Sequence, residues 1–183
     1  MKGVFLGTIL SLFMMEGSAQ KKYYTKAGTI TFFSKSLIED IEAGNKSVSC
    51  VVDASTGFVQ FALKMRGFKF RKSLMQEHFN ENYAESDKFP QASFTGKIVN
   101  NDQIDYLKDG DYPARVTGDL QMHGLTNPID TDGMVTVKAG IIEMKAQFKI
   151  LLSEYKIDIP SLVKSNINNS IAVKVDCALE PLK

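Results

Sequence analysis

Apolar and polar residues alternate with a period of two along much of the chain, which is the pattern of strands that bury one face. Turn-forming groups separate the alternating stretches, for example Ser55-Thr56-Gly57 and Lys138-Ala139-Gly140. Such a succession predicts an antiparallel meander. Closure removes exposed strand edges, so we predict an all-β, lipocalin-like antiparallel barrel of about eight strands, with a two-sheet sandwich as the alternative. The alternating stretches are residues 30–32, 48–52, 59–65, 92–98, 116–122, 142–150 and 171–179.

The segment near residues 74–83 follows a helical period instead. Ser73 stands three residues before Gln76, which is the capping-box pattern of a helix start. Apolar side chains then recur every four residues, so the segment predicts a short amphipathic helix inserted between strands. This helix could form a lid over the barrel mouth, or it could pack on the barrel wall, which is the commoner arrangement. Its apolar stripe consists of Met75, Phe79 and Tyr83.

The first residues predict an export signal. Lys2 is the only charge before an apolar run over 3–15, and the small residues Gly17-Ser18-Ala19 follow it. This pattern is typical of a secretory signal peptide, and the run is shorter than the roughly 20 apolar residues of a membrane-spanning helix. We therefore predict a signal peptide over 1–19 and one domain over 20–183. The mature protein is expected in the periplasm or outside the cell, not integral to the membrane.

The charge balance narrows the range of partners. The chain holds 22 Lys and Arg residues against 21 Asp and Glu, so its net charge is +1, and no long block of one sign occurs. Binding to nucleic acid draws on clustered basic charge, so no nucleic-acid partner is expected.

The two cysteines, Cys50 and Cys177, lie far apart in the sequence. An exported protein can keep a disulfide, so they could be bridged. We favour two buried thiols, because sequence alone does not bring their Cα atoms within bonding distance.

The sequence offers little for catalysis. His78 and His123 are the only histidines, and neither metal-ligand spacing nor a G-x-S-x-G nucleophile motif occurs. The carboxylate pairs Glu39/Glu42 and Asp130/Asp132 are interpreted as parts of solvated turns. The assigned inward positions carry no titratable group other than the two cysteines, so a general acid or base inside the barrel is missing. We expect no enzymatic activity, no metal and no cofactor.

Three stretches resemble the YceI-like family of exported lipid-binding proteins. They are Lys88-Phe89-Pro90-Gln91-Ala92-Ser93-Phe94, the strand and turn Gly118–Thr126 with its central His123-Gly124, and the preceding helical stretch Met75–Asn80. The chain departs from the family pattern in its opening strand, Ala27–Ser34, and at Glu154–Ile157. It therefore resembles a shorter, divergent branch.

The resemblance implies a barrel that holds a polyisoprenoid, quinone, fatty amide or other long apolar lipid. Tyr83, His78 and Arg66 are candidates for the mouth, where a polar headgroup would lie. Large side chains could instead fill the space beside small inward residues, and a filled barrel would then be a protein-interaction or stress-related module without ligand. The oligomeric state is left open, with a homodimer as one option. The candidate ligand contacts are Ile30, Phe32, Phe61, Leu63, Phe79, Phe94, Gly96, Gly118, Leu120, Met122, Ala146, Phe148, Val173 and Val175.

Overall fold

The computed structural model describes residues 22–35, 40–159 and 167–182, so the predicted signal peptide lies outside the described residues. These residues form nine strands: β1 (Lys22–Ser34), β2 (Ile41–Asp53), β3 (Phe58–Lys64), β4 (Lys69–Phe70), β5 (Gln91–Ile98), β6 (Gly110–Met122), β7 (Leu125–Lys138), β8 (Ile141–Leu151) and β9 (Ser170–Pro181). The helical segments are a 3₁₀ turn (Met65–Gly67), α1 (Ser73–His78), a π-helical turn (Phe79–Tyr83) and two more 3₁₀ turns (Asn101–Gln103 and Leu152–Tyr155).

Eight of these strands close into a barrel. The order is β1-β9-β8-β7-β6-β5-β3-β2, and β2 pairs back onto β1, with every pairing antiparallel. The two-residue strand β4 lies outside this ring and extends the sheet at β2, where Phe70 is opposite Ala43. The prediction of an antiparallel barrel of about eight strands with one inserted helix is confirmed, and the sandwich alternative is wrong.

The two ends of the barrel differ. At one end, which we call the lid end, α1 and the π-helical turn connect β3 to β5, and the turn of residues 152–155 follows β8. At the other, closed end, the connections are the turns at 54–57 and 139–140 and the segment 99–109. The most deeply buried cluster fills the closed half, and it includes Cys50, Val59, Ile98, Ile142 and Leu179.

The alternating pattern of the sequence did not predict strand β7. Its presence corrects the interpretation of two carboxylates as parts of a solvated turn. Asp130 and Asp132 lie on β7, not in a turn, and Asp130 accepts two hydrogen bonds from Arg115 on β6, at 3.0 and 2.7 Å. These bonds lower the pKa of Asp130. Three inward positions of β7, Asn127, Thr131 and Gly133, are not apolar, so the alternation is interrupted along this strand. Glu42 likewise lies within β2, and Glu39 lies outside the described residues.

Both cysteines are free thiols buried in the closed half of the barrel. A hydrogen bond with the Cys177 side chain, together with burial, raises the pKa of the Cys50 thiol. Cys50 therefore stays protonated and contributes to the core as a small apolar side chain, as the sequence interpretation favoured.

Two glycines allow a close approach between β5 and β6. Gly96 is opposite Gly118, and a Cβ added at Gly118 would lie 2.5 Å from the Cα of Gly96. The ring of Phe94 covers both glycines, since its Cζ would lie 2.6 Å from a Cβ at Gly96 and 2.7 Å from one at Gly118. The Phe94 ring of β5 thus fills the space that side chains at Gly96 and Gly118 would occupy. Aromatic rings are known to support glycines in strands in this way.

The substitution Gly96→Ala is expected to lower the free energy of unfolding by about 1–3 kcal/mol, because the new methyl group meets both the Phe94 ring and the Thr117 carbonyl oxygen. Urea unfolding of Gly44→Ala provides the matched control. A Cβ at Gly44 meets only the Thr31 hydroxyl, at 3.7 Å, so that variant should stay within about 1 kcal/mol of the wild type. Equal losses in the two variants would contradict the role given to the Phe94 ring.

Candidate functional site

A cavity of about 340 Å³ lies inside the lid-end half of the barrel. Its walls come from the inward faces of the strands and its lining is almost entirely apolar. Every predicted contact residue except Gly96 and Gly118 lines it: Ile30, Phe32, Phe61, Leu63, Phe79, Phe94, Leu120, Met122, Ala146, Phe148, Val173 and Val175. The two glycines lie outside because the Phe94 ring covers them.

The helical segment Ser73–Tyr83, here called the lid, closes over this cavity. Its residues Met75, His78, Phe79 and Tyr83 all line the cavity, so the lid interpretation of the apolar stripe applies and packing on the outer wall does not. The predicted capping box is wrong. Lys72 is the N-cap and makes no side-chain capping bond to the helix, and the Gln76 side chain instead accepts a bond from the Phe70 N–H at 3.4 Å.

Four phenylalanines attach the lid to the barrel. The Phe79 ring on the lid lies 5.5 Å from Phe32 on β1, 5.7 Å from Phe68 and 5.1 Å from Phe70 on β4, measured between centroids. Pairs of this kind contribute about 0.5–1.5 kcal/mol each beyond the burial of their area. The short strand β4 therefore places Phe70 between the barrel wall and the lid.

The bottom of the cavity, here called the floor, consists of residues that line the cavity and also belong to the closed-half core. They are Ala114, Val116, Val135, Met144 and Val175, and Phe94 is one of the partly buried residues that pack against that core from the cavity. Beneath them the barrel is filled, and Tyr23 stacks on Tyr106 at the closed end with ring centroids 6.1 Å apart. Burial raises the pKa of Tyr106 to about 12, which is consistent with a dry closed end. The barrel is thus hollow in one half and filled in the other.

The polar groups around the cavity are few, and two of the three predicted mouth residues are among them. The titratable residues His78 and Tyr83 of the lid contribute to the lining, whereas the Lys145 side chain on β8 is exposed and forms an ion pair with Glu143. Burial raises the pKa of Tyr83. The other mouth candidate, Arg66, does not line the cavity and forms an ion pair with Asp87 on the surface.

A histidine joins three elements at the lid end. The Nδ1 of His123 lies 2.8 Å from the carbonyl oxygen of Tyr155, and its Nε2 lies 2.8 Å from a carboxylate oxygen of Glu85, just beyond the lid. The carbonyl oxygen can only accept, so Nδ1 donates the proton. Only 10 % of the His123 side chain is exposed, although parity places it on the outer side of β6. This contact connects the β6–β7 turn, the segment just after the lid and the 152–155 turn. We call it the histidine latch.

The latch also lies where two of the motif stretches meet. The Phe89 ring packs on the His123 ring with centroids 4.4 Å apart, and a Cβ at Gly124 would lie 2.7 Å from that ring. His123 and Glu85 both have left-handed backbones, with φ of 52° and 42°. Such conformations are unfavourable for residues with a Cβ and persist only where surrounding contacts enforce them. Sequence reasoning missed this role, because nothing local connects residue 85 with residue 123.

The 152–155 turn fills a gap in the barrel wall. β7 pairs with β8 only from Gly133 to Lys138, so the lid-end half of β7 lacks a strand partner on that side. The side-chain amide of Asn127 instead donates to the Glu154 carbonyl oxygen at 2.9 Å, and the fully buried Tyr155 packs in the cluster with Ile150 and Ile157. Ile150 and Ile157 line the cavity, a role that was not assigned to them from the sequence.

Within residues 22–35, 40–159 and 167–182, no three His, Cys, Asp or Glu side chains are grouped so that they could hold a metal ion. None of the helices in this part of the chain is long and apolar enough to cross a membrane.

Comparison with known proteins identifies the family. Residues 16–179 match the YceI-like domain. The chain belongs to the YceI-like family. Among solved structures, a polyisoprenoid binding domain from Saccharophagus degradans superimposes with a TM-score of 0.76 at 16 % identity, covering 89 % of this chain and 99 % of that one.

Two further solved structures share the fold. BcnA from Burkholderia cenocepacia has a TM-score of 0.68 at 16 % identity and covers 83 % of this chain and 95 % of its own. The YCEI protein from Campylobacter jejuni has a TM-score of 0.61 at 17 % identity, covering 80 % and 87 %. The comparison with curated proteins gave no match.

Proposed function

We propose that this YceI-like protein is a non-catalytic, exported carrier that holds a long apolar molecule inside its barrel. The observation that carries the proposal is the cavity of about 340 Å³ with its almost wholly apolar lining and its helical lid. Ligand sites in proteins are typically mostly apolar clefts of about 300–1,000 Å³. Transfer of each methylene from water into such a site is favourable by about 0.8 kcal/mol, so a hydrocarbon chain needs no polar contact to bind.

Two further observations support this ligand class. The domain from Saccharophagus degradans, which has the same fold, is described as polyisoprenoid binding. In addition, the polar residues His78 and Tyr83 lie on the lid, where a single polar end group could remain while the chain enters the barrel. The predicted ligand is therefore an isoprenoid, a quinone or a fatty amide. The alternative of a ligand-free interaction module requires a barrel that is filled throughout, and the lid-end half is hollow.

Export is supported by the sequence pattern of residues 1–19. The intact mass of protein recovered from the periplasm or the medium tests it, since cleavage after Ala19 would leave a chain that starts at Gln20. A mass that corresponds to the uncleaved chain would contradict this part of the proposal.

The ligand is tested on the purified protein by native mass spectrometry and solvent extraction. We expect a bound apolar molecule, or uptake of one equivalent after incubation of delipidated protein with isoprenoid alcohols, quinones or fatty amides. Because the site lies in one half of one barrel, the stoichiometry should be one per chain. Protein that remains empty after incubation with all three classes would overturn the proposal.

A further inference from the structure

We propose that the floor limits the length of the chain that this protein accepts, and that Phe94 is the main specificity-determining residue. The inference rests on the proposed function and goes beyond it, because it concerns which apolar ligands fit. A barrel open from end to end would let a chain of any length pass through. This barrel is blocked halfway, so the far end of a ligand must stop at the floor.

The filled half leaves no route past the floor. The residues beneath it, including Val52, Val59, Ile98 and Ile142, are completely buried in the core and none of them lines the cavity. Tyr23 and Tyr106 then close the end of the barrel. A ligand therefore has only the lid-end cavity available, and any part that does not fit must remain outside, near the lid.

The volume of the cavity sets the length of the ligand chain that it can hold. A water-sized group, which is close to the size of a methylene, takes up about 30 Å³ in the liquid, so a cavity of about 340 Å³ holds roughly eleven such groups. A chain of about ten to fifteen carbons thus fills the site, on the same estimate. This corresponds to two or three isoprene units, whereas a longer polyisoprenoid would extend beyond the barrel.

Phe94 has the position and the surroundings of a chain-length stop. Its ring lies partly buried between the cavity and the closed-half core, beside Phe61 at 6.3 Å between centroids. The ring lies over the two glycines Gly96 and Gly118, which have no side chains to replace it. Removal of the ring would therefore lengthen the cavity along β5 and β6. Met144, on the opposite side of the floor, has core residues such as Ile142 and Leu179 nearby and would release less space.

The proposal is tested by the binding of geraniol, farnesol and geranylgeraniol, which have two, three and four isoprene units, in competition with a fluorescent apolar probe. Each methylene that enters the cavity should tighten binding about fourfold, the equivalent of about 0.8 kcal/mol. For the wild type we expect a steep gain from geraniol to farnesol and a change of less than about threefold from farnesol to geranylgeraniol, since the additional carbons stay outside.

Two variants and a control assign the limit to the floor. In Phe94→Ala, geranylgeraniol should bind at least about tenfold more tightly than farnesol, because several more carbons enter. Phe94→Leu, a smaller change that guards against loss of folding, should shift the limit in the same direction. Ile141→Ala shortens an exposed side chain on β8, two positions before the outward Glu143, and should keep the wild-type profile.

The outcomes separate this proposal from the one on which it rests. A wild-type protein that gains affinity equally at both steps of the series would overturn the length limit and leave ligand binding intact. Folded Phe94→Ala and Phe94→Leu proteins with the wild-type profile would overturn the role of Phe94. A wild-type protein that binds none of the three alcohols but takes up a quinone or a fatty amide would overturn the length limit for isoprenoid chains and leave the carrier proposal intact.

Discussion

Replacement of Ala146 by phenylalanine is expected to weaken the binding of an apolar ligand at least about 100-fold while the protein stays folded. Ala146 lies on β8 between Gly133 and Val175, and its side chain lines the cavity. A phenyl ring at this position would occupy the space of several ligand methylenes. At about 0.8 kcal/mol for each, the loss reaches about 3 kcal/mol or more.

The same substitution should cost little stability, because the ring enters existing empty space instead of a packed core. Ala178→Phe on β9 is the matched control, since Ala178 is exposed on the outer face and the new ring would not reach the cavity. Probe-displacement titrations report the affinity, and thermal unfolding reports the fold. If Ala146→Phe binds as the wild type does, the cavity is not the binding site.

The second large effect is expected for the histidine latch. His123→Ala should lower the free energy of unfolding by about 2–4 kcal/mol, because two hydrogen bonds are lost, one of them to a carboxylate, and the Tyr155 carbonyl oxygen is left without its partner. The left-handed backbone at residue 123 adds to the loss, since alanine tolerates it less well than histidine. Because 41 % of the Glu85 side chain is exposed, solvent screening keeps its share of the loss small.

Urea unfolding of three variants tests the latch. His78→Ala removes the other histidine, whose side chain is exposed, and should change the stability by less than about 0.5 kcal/mol. His123→Asn retains the preference for the left-handed backbone and should lie between His123→Ala and the wild type. Hydrogen exchange should also speed up in the lid and in the 152–155 turn. Unchanged exchange in both segments would show that His123 does not connect them.

The periodic elements of this fold follow from local chemistry. Successive side chains of a strand point to opposite faces. Strands such as β5, β8 and β9 can therefore be predicted from the sequence wherever their inward positions are apolar. The stripe of Met75, Phe79 and Tyr83 predicted the inserted helix for the same reason, at helical spacing, and left open whether it forms a lid. β7 escaped prediction because its inward positions include Asn127, Thr131 and Gly133. Polar groups at such positions are paired with other segments. The Asn127 side chain, for example, donates a hydrogen bond to the Glu154 carbonyl oxygen.

The sequence by itself thus determined which residues face inward on the strands other than β7, and with them an antiparallel barrel, its inserted helix and twelve of the residues that line the cavity. Only the tertiary structure decided how much of that interior is hollow. The alternation of apolar and polar residues is the same whether a strand faces a packed core or a cavity, since burial in either place selects apolar side chains. The depth of the cavity depends instead on where single rings come to lie, above all Phe94 over Gly96 and Gly118. The histidine latch was equally out of reach, because its partners are brought together by the closure of the barrel and not by their spacing in the chain.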